Sequence, residues 1–315
     1  MAYISLQKKV DKLTLNAGVS YQYFHRNITS KSAETEDSKS TQNISSFFPS
    51  ASLIYRTNGN TFYISYNRTI EQPKFSSMNS GLIYSDSLTY FSGNPYLKSS
   101  ITNTLSAGFN LRDFSFSFLY MHDKDPIVYV SETMEEGSDI VVEKEINFKS
   151  SNLTNLSVDY SKSFSKFNLY AEAGLMLPYG KYEFRGKKIT AKTLTFNGNL
   201  NLSYQIVPAF GLIASFHYQG YRKDLTMTQK PVNDLTIGCV ASFLNDLLTI
   251  NASFTDVLDG ANYNNLYYRY GNICNGTYGK NDQRGVIFKV SYKIFSKGIK
   301  TRSPRSNDAI VRRTM

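Results

Sequence analysis

Leu194-Thr195-Phe196-Asn197-Gly198-Asn199-Leu200-Asn201-Leu202-Ser203-Tyr204-Gln205-Ile206 decides the fold of this chain. Side chains along a strand alternate with period two, so Leu194, Phe196, Gly198, Leu200, Leu202, Tyr204 and Ile206 share one face. Thr195, Asn197, Asn199, Asn201, Ser203 and Gln205 fill the other. One face is greasy and the opposite one is wet. At a rise of about 3.3 Å per residue and a tilt of roughly 40°, thirteen residues climb about 33 Å, more than the ~25 Å apolar band that a membrane-spanning barrel presents to lipid.

The pattern recurs. Leu13, Leu15, Ala17, Val19, Tyr21 and Tyr23 make one apolar stripe, and Leu248, Ile250, Ala252 and Phe254 another, opposed by Thr249, Asn251, Ser253 and Thr255. Val286, Phe288, Val290, Tyr292 and Ile294 form a third near the end of the chain. Alternation and turn residues together predict thirteen strands, at about 2–9, 12–28, 42–57, 60–72, 100–111, 114–130, 141–163, 166–183, 190–206, 209–226, 232–244, 247–257 and 283–295. Six of the joints are tight: Lys9 to Lys12, Thr57 to Asn60, Leu111 to Phe114, Ser163 to Lys166, Ile206 to Ala209 and Leu244 to Leu247. Asn58-Gly59 is the strongest hairpin signal among them. The other joints are longer and polar, at roughly 29–41, 73–99, 131–140, 184–189, 227–231 and 258–282. The reading is an all-β, transmembrane, antiparallel up-and-down β-barrel, with short turns on the periplasmic rim and long loops outside.

Orientation carries a further expectation. If the tight turns are periplasmic, an odd count of thirteen starts residue 1 outside the cell, whereas single-chain bacterial barrels close with even strand numbers. The opening Met1-Ala2-Tyr3-Ile4-Ser5-Leu6-Gln7-Lys8-Lys9 has no charged-then-apolar secretory layout. Residues 1–295 are therefore expected to be the C-terminal part of a longer barrel, and 296–315 a solvated, disordered tail. That tail holds Lys297, Lys300, Arg302, Arg305, Arg312 and Arg313 against Asp308, and no aromatics interleave with its charges as a nucleic-acid platform requires.

Composition agrees. The 315 residues include 24 Tyr and 21 Phe, rich in strand formers and suited to interfacial girdles, although no Trp is present. A mean hydropathy of −0.34 does not exclude a barrel, whose strands hide their lipid face in alternation. No run of 18 apolar residues occurs, which excludes helical spans. A soluble all-β fold would have shorter strands, and Lys and Glu rather than Asn, Ser, Thr and Gly on its solvent face.

Chemistry-bearing residues are few. Cys239 lies on an apolar stripe with Leu235, Ile237, Ala241 and Phe243 and reads as a small hydrophobe; with Cys274 it makes neither a disulfide framework nor a metal motif. His122-Asp123-Lys124-Asp125 would need neighbours on opposite strand faces to cooperate, and Ser215 and His217 share a face without an acidic orienter nearby in sequence. No metal-ligand spacing and no phosphate loop is found, so no enzyme and no cofactor is expected. The candidate ligand contacts are Tyr263, Tyr267, Tyr268, Arg269 and Tyr270 in the last long loop, aromatics able to stack on a sugar or chelate beside a guanidinium able to pair with an anion. A loop packed on itself is the plainer reading of the same residues.

Several segments resemble the C-terminal barrel of TonB-dependent receptors of the Bacteroidetes-type outer-membrane β-barrel family. Phe48-Pro49-Ser50-Ala51-Ser52-Leu53-Ile54-Tyr55 resembles its P-x-x-x-L-x-Y strand start. Ser65-Tyr66-Asn67-Arg68-Thr69-Ile70-Glu71-Gln72-Pro73 resembles its SYSR-x-I-x-R-P strand end, with Gln72 in place of Arg. Gly93-Asn94-Pro95-Tyr96-Leu97-Lys98 is similar to its GNP-x-LKPE motif, with Ser99-Ser100 in place of Pro-Glu. Val290-Ser291-Tyr292-Lys293-Ile294-Phe295 looks like the family's barrel-closing strand, whose aromatic end the barrel-assembly machinery reads. The resemblance implies a 22-stranded barrel in the Gram-negative outer membrane, of which thirteen strands are here. It also implies uptake of a large or scarce solute such as a metal chelate, glycan or peptide. TonB would act only through an N-terminal plug missing from this chain. Two other classes stay open: a non-transporting surface-display or adhesin-like barrel, and a passive 14-stranded channel. The expected partners are outer-membrane lipid, the assembly machinery and an unknown solute, with no nucleic acid.

Overall fold

The computed structural model describes residues 2–30, 38–135, 138–184, 187–261, 265–271, 273–277, 279 and 282–294. The chain builds β1 (Ala2–Val10), β2 (Leu13–Ser30), β3 (Ser38–Thr57) and β4 (Asn60–Glu71), then, past a short 3-10 turn at Ser76–Met78, β5 (Leu82–Asp86) and β6 (Thr89–Ser92). Next come β7 (Ser100–Leu111), β8 (Phe114–Lys124), β9 (Ile127–Thr133), β10 (Val141–Asn147), β11 (Ser150–Phe164), β12 (Phe167–Phe184), β13 (Lys187–Lys192) and β14 (Thr195–Val207). The remainder holds β15 (Phe210–Gln219), β16 (Arg222–Asp224), β17 (Met227–Gln229), β18 (Val232–Phe243), β19 (Leu248–Thr255), β20 (Leu266–Tyr270), β21 (Ile273–Thr277) and β22 (Gly285–Tyr292).

Thirteen of these form one antiparallel sheet in the order β1-β2-β3-β4-β7-β8-β11-β12-β14-β15-β18-β19-β22, with β13 paired to β12 off this path. Spatial order follows chain order, as in an up-and-down wall, and the thirteen wall strands are the thirteen that alternation predicts. The sheet is open: β1 and β22 are its two edges.

Register aligns the two faces across strands. Leu200 lies between Ala171 and Phe216, and one residue along, Asn199 lies between Glu172 and His217. Apolar rows therefore stack on one side of the sheet and polar rows on the other. The apolar side is uncovered, with Phe196 50% and Leu200 36% exposed. Among the described residues no second layer shields them, so this face is suited to burial in lipid. On the polar side neighbours pair within the wall, as in Asn16 Nδ2 donating to Ser52 Oγ at 2.9 Å and Asn168 Nδ2 to Ser203 Oγ at 3.0 Å.

The tight turns bend where positive φ is available. Gly59 takes φ +82° with open space where a Cβ would lie, and Asp11 and Arg112 each reach +51°.

Alternation overestimates the continuity of the long strands. The stretch 114–130 breaks at Asp125, which has φ +53°, and at Pro126, which has no N–H for the ladder. The stretch 141–163 breaks between β10 and β11, 209–226 between β15 and β16, and 190–206 between β13 and β14. The long loops also carry eight strands in two further four-stranded sheets, β5-β6-β10-β9 and β16-β17-β20-β21. The last wall strand ends at Tyr292, so Ile294 lies beyond it. Phe295 and the basic tail 296–315 lie outside the described residues.

Candidate functional site: the cap and the inner wall

The loop sheets fold toward the wet side of the wall. Arg26 and Gln42 share the parity of Asn16 and Ser52, and both reach the loop before β7: Gln42 Nε2 donates to the Leu97 carbonyl at 2.9 Å and Arg26 Nη2 at 3.3 Å. Asn147, at the end of β10, exchanges hydrogen bonds with the Lys98 backbone at 2.7 and 2.9 Å. Leu97 and Met78, both in this loop, are fully buried.

A second, larger seam joins the remaining loops. Val130, Phe148, Leu225 and Tyr270 form a buried cluster, packed against Val128, Ile146, Tyr182 and Phe184. Tyr182 and Phe184 lie on the wet parity of β12, so the cluster sits over the inner side. Phe148 stacks on Tyr182 at 4.7 Å, and Phe184 meets Tyr270 edge-on at 4.9 Å. Gly180 leaves room for Leu225 here: a Cβ at that position would come within 2.2 Å of the Leu225 methyl, which would have to shift.

A buried carboxylate links the two loop sheets. Glu143, only 6% exposed, accepts a hydrogen bond from the Asn275 amide. Burial, and then hydrogen bonding to Glu143, push the Tyr129 phenol well above its ordinary range. Tyr129 meets Tyr268 edge-on at 5.7 Å, and Thr226 Oγ1 donates to the Tyr129 carbonyl at 3.3 Å.

The predicted contacts on β20 divide by parity. Tyr270 is 8% exposed and belongs to the cap's core. Tyr268 is half-buried against Tyr129. Arg269 is exposed, and Lys230 Nζ lies 5.7 Å from the centre of the half-buried Tyr267 ring. Tyr263 lies outside the described residues. On β22, Val290 and Tyr292 face outward, 65% and 58% exposed, on the sheet's free edge.

Below the cap the inner wall carries carboxylates. Asp123 accepts from Thr102 Oγ1 at 2.7 Å and Ser151 Oγ at 2.8 Å. Above it, in the loop strand β16, Asp224 lies 3.5 Å from Arg222 Nη2. Burial raises the Asp224 pKa, Arg222 opposes the rise and the charge of Asp123 adds to it. Deeper in, Tyr170 donates to Asp159 at 3.0 Å and to Glu172 at 3.3 Å, Asn199 Nδ2 donates to Glu172 at 2.8 Å, and the Asn199 side-chain Oδ1 meets His217 Nδ1 at 2.6 Å. Asp234 stands opposite His217 in register. This ladder of acceptors escaped the sequence reading because its members lie on five strands and only register lines them up. Their place on the polar parity of each strand was the available signal.

His122 and Asp123 point to opposite faces of their strand, while Ser215 and His217 share the wet face of β15 but bond to different residues. Ser215 Oγ bonds Asn201 Oδ1 at 2.7 Å and His217 bonds Asn199.

A wall with one lipid-compatible face, one hydrogen-bonded wet face and loops gathered over the wet side defines a membrane-spanning β-barrel wall. The model of the outer membrane protein beta-barrel family matches residues 1–292, and the chain belongs to that family. A comparison with curated proteins found no match. Among solved structures, the FrpB iron transporter from Neisseria meningitidis is similar at 15% identity and a TM-score of 0.60, over 91% of this chain and 44% of that one. The siderophore receptor PirA from Pseudomonas aeruginosa is similar at 13% identity and a TM-score of 0.56, over 82% and 44%. A Q482A mutant of the ferric enterobactin receptor PfeA from the same organism, in complex with enterobactin, gives 13% and 0.54, over 82% and 40%. The chain thus spans less than half the length of these proteins and shares their fold.

Proposed function

We propose that this chain is wall and external cap of an outer-membrane receptor that takes up a large or scarce solute by a TonB-dependent mechanism. The observation that carries the reading is the inward fold of the loops. The loops converge over the lumen through the Phe148, Leu225 and Tyr270 cluster, which suits capture of a solute from outside rather than an unobstructed pore. Exposed Arg269 beside Tyr267 offers an anionic, flat ligand a cation and a ring. The fold shared with iron and siderophore receptors makes a metal chelate the first solute to try. The two free edges of the wall are covered in lipid by further strands, since unpaired backbone groups there cost several kcal/mol each. A plug inside that completed barrel couples it to TonB.

Cells expressing the gene are given a panel of ferric chelates, glycans and peptides, and accumulation is measured with and without a protonophore. Accumulation that stops with the protonophore supports the receptor. Accumulation that continues makes it a passive channel, and none at all favours a display barrel.

A further inference from the structure

Basic residues on the outward face of β4 to β13 gather near the loop-bearing rim. On the lipid side, one row runs through Arg68, Asn103, His122, Asn152, Tyr179 and Lys192. The next row outward runs through Ile70, Ile101, Lys124, Ser150, Lys181 and Thr190, and beyond it Lys188 stands opposite Glu183. Directly inward lie Tyr66, Leu105, Tyr120, Thr154 and Leu177, where the apolar band begins. Lys124, Lys181, Lys188 and Lys192 are all exposed. Strand spacing of about 4.8 Å and a rise of about 3.3 Å place the Lys188 and Lys192 backbones roughly 8 Å from that of Lys181, and Lys124 about 10 Å from it. Glu183 is the only acid on this parity of β4, β7, β8, β11, β12, β13 and β14 among the described residues.

The surroundings are those of an interface with headgroups. Tyr66 and Tyr120 rise from the apolar band and donate to Asn103 at 2.9 Å and Asn152 at 2.8 Å, ring in the greasy layer and hydroxyl above it. Lys181 Nζ sits 5.6 Å from the centre of the Tyr179 ring. Arg68 Nε has no hydrogen-bond partner among the described residues. The cap folds to the other side of the wall, so it leaves this patch open to whatever surrounds the barrel.

We infer that Lys124, Lys181, Lys188 and Lys192 bind the phosphorylated headgroup of an outer-leaflet lipid, held against the outside of β8 to β13. Anionic surfaces attract each nearby Lys appreciably, and the attraction fades within a Debye length. The inference rests on the outer-membrane placement and is independent of transport.

The test titrates the full chain in uncharged detergent with diphosphorylated lipid A, with the same lipid dephosphorylated, and with inorganic phosphate. The phosphorylated lipid is expected to bind at least tenfold more tightly than the dephosphorylated one, and the gap to shrink as salt rises from low to high concentration. The triple variant Lys181→Gln, Lys188→Gln, Lys192→Gln loses most of the gap. The charge-matched triple Lys8→Gln, Lys9→Gln, Lys12→Gln on the opposite rim keeps it. Equal binding of the two lipids, an unchanged gap in the Lys181 triple, or displacement of the lipid by inorganic phosphate at equal concentration would each overturn the inference.

Discussion

Replacing Leu200 with Arg tests the assignment of the two faces. Leu200 sits in the middle of β14, 36% exposed, in a row with Ala171 and Phe216. An arginine on the lipid face costs about 2–4 kcal/mol at the bilayer midplane and about 0–1 kcal/mol near an interface. Leu200→Arg should therefore lower the folding constant by roughly 30- to 700-fold, at tenfold per about 1.4 kcal/mol. Ile206→Arg, beside the tight turn that ends β14, should cost about 1 kcal/mol or less. Asn201→Arg faces the wet side and forfeits the 2.7 Å bond from Ser215, worth about 1 kcal/mol. The measurement is a urea titration in phosphatidylcholine bilayers, followed by the fluorescence of the chain's 24 tyrosines, which no tryptophan obscures. Equal losses for Leu200→Arg and Asn201→Arg, or a cost at Ile206 matching that at Leu200, would refute the division of faces.

Three further outcomes follow from the cap and its surroundings. Gly180→Val drives a side chain into Leu225 and should speed amide exchange across β16, β17 and β20 by at least tenfold while leaving β14 and β15 unchanged, as read by hydrogen-exchange mass spectrometry. Asp224 has a raised folded pKa, so its ionised form costs the cap above the unfolded value of 3.8 and nothing well below it. Asp224→Asn should accordingly slow exchange in β16 and β17 a few-fold at pH 7 and have no effect near pH 3; an equal effect at both pH values would contradict this. On the proposed receptor reading, Arg269→Ala should weaken binding of an anionic solute about tenfold without changing the protein's melting, since Arg269 is exposed; calorimetric titration with a solute identified by the uptake panel measures it.

The wall was legible in the sequence because alternation is a local property. Which of Leu200 and Asn201 faces lipid depends only on parity within one strand, and the tight turns at Asn58-Gly59 and Asp11 declare themselves by residue type. Thirteen wall strands, their order and the sides of their residues follow from that alone. The loops could not be read this way. Tyr270 and Arg269 are adjacent, yet one is buried against Phe148 and the other exposed, a distinction set by which loop sheet lies beneath β20. The Asp159, Glu172 and Asp234 ladder and the Lys124, Lys181, Lys188 and Lys192 patch are likewise products of register between strands, which no single strand encodes. Local periodicity determined the faces; tertiary pairing decided which charges meet on them, because the distances that matter run perpendicular to the chain.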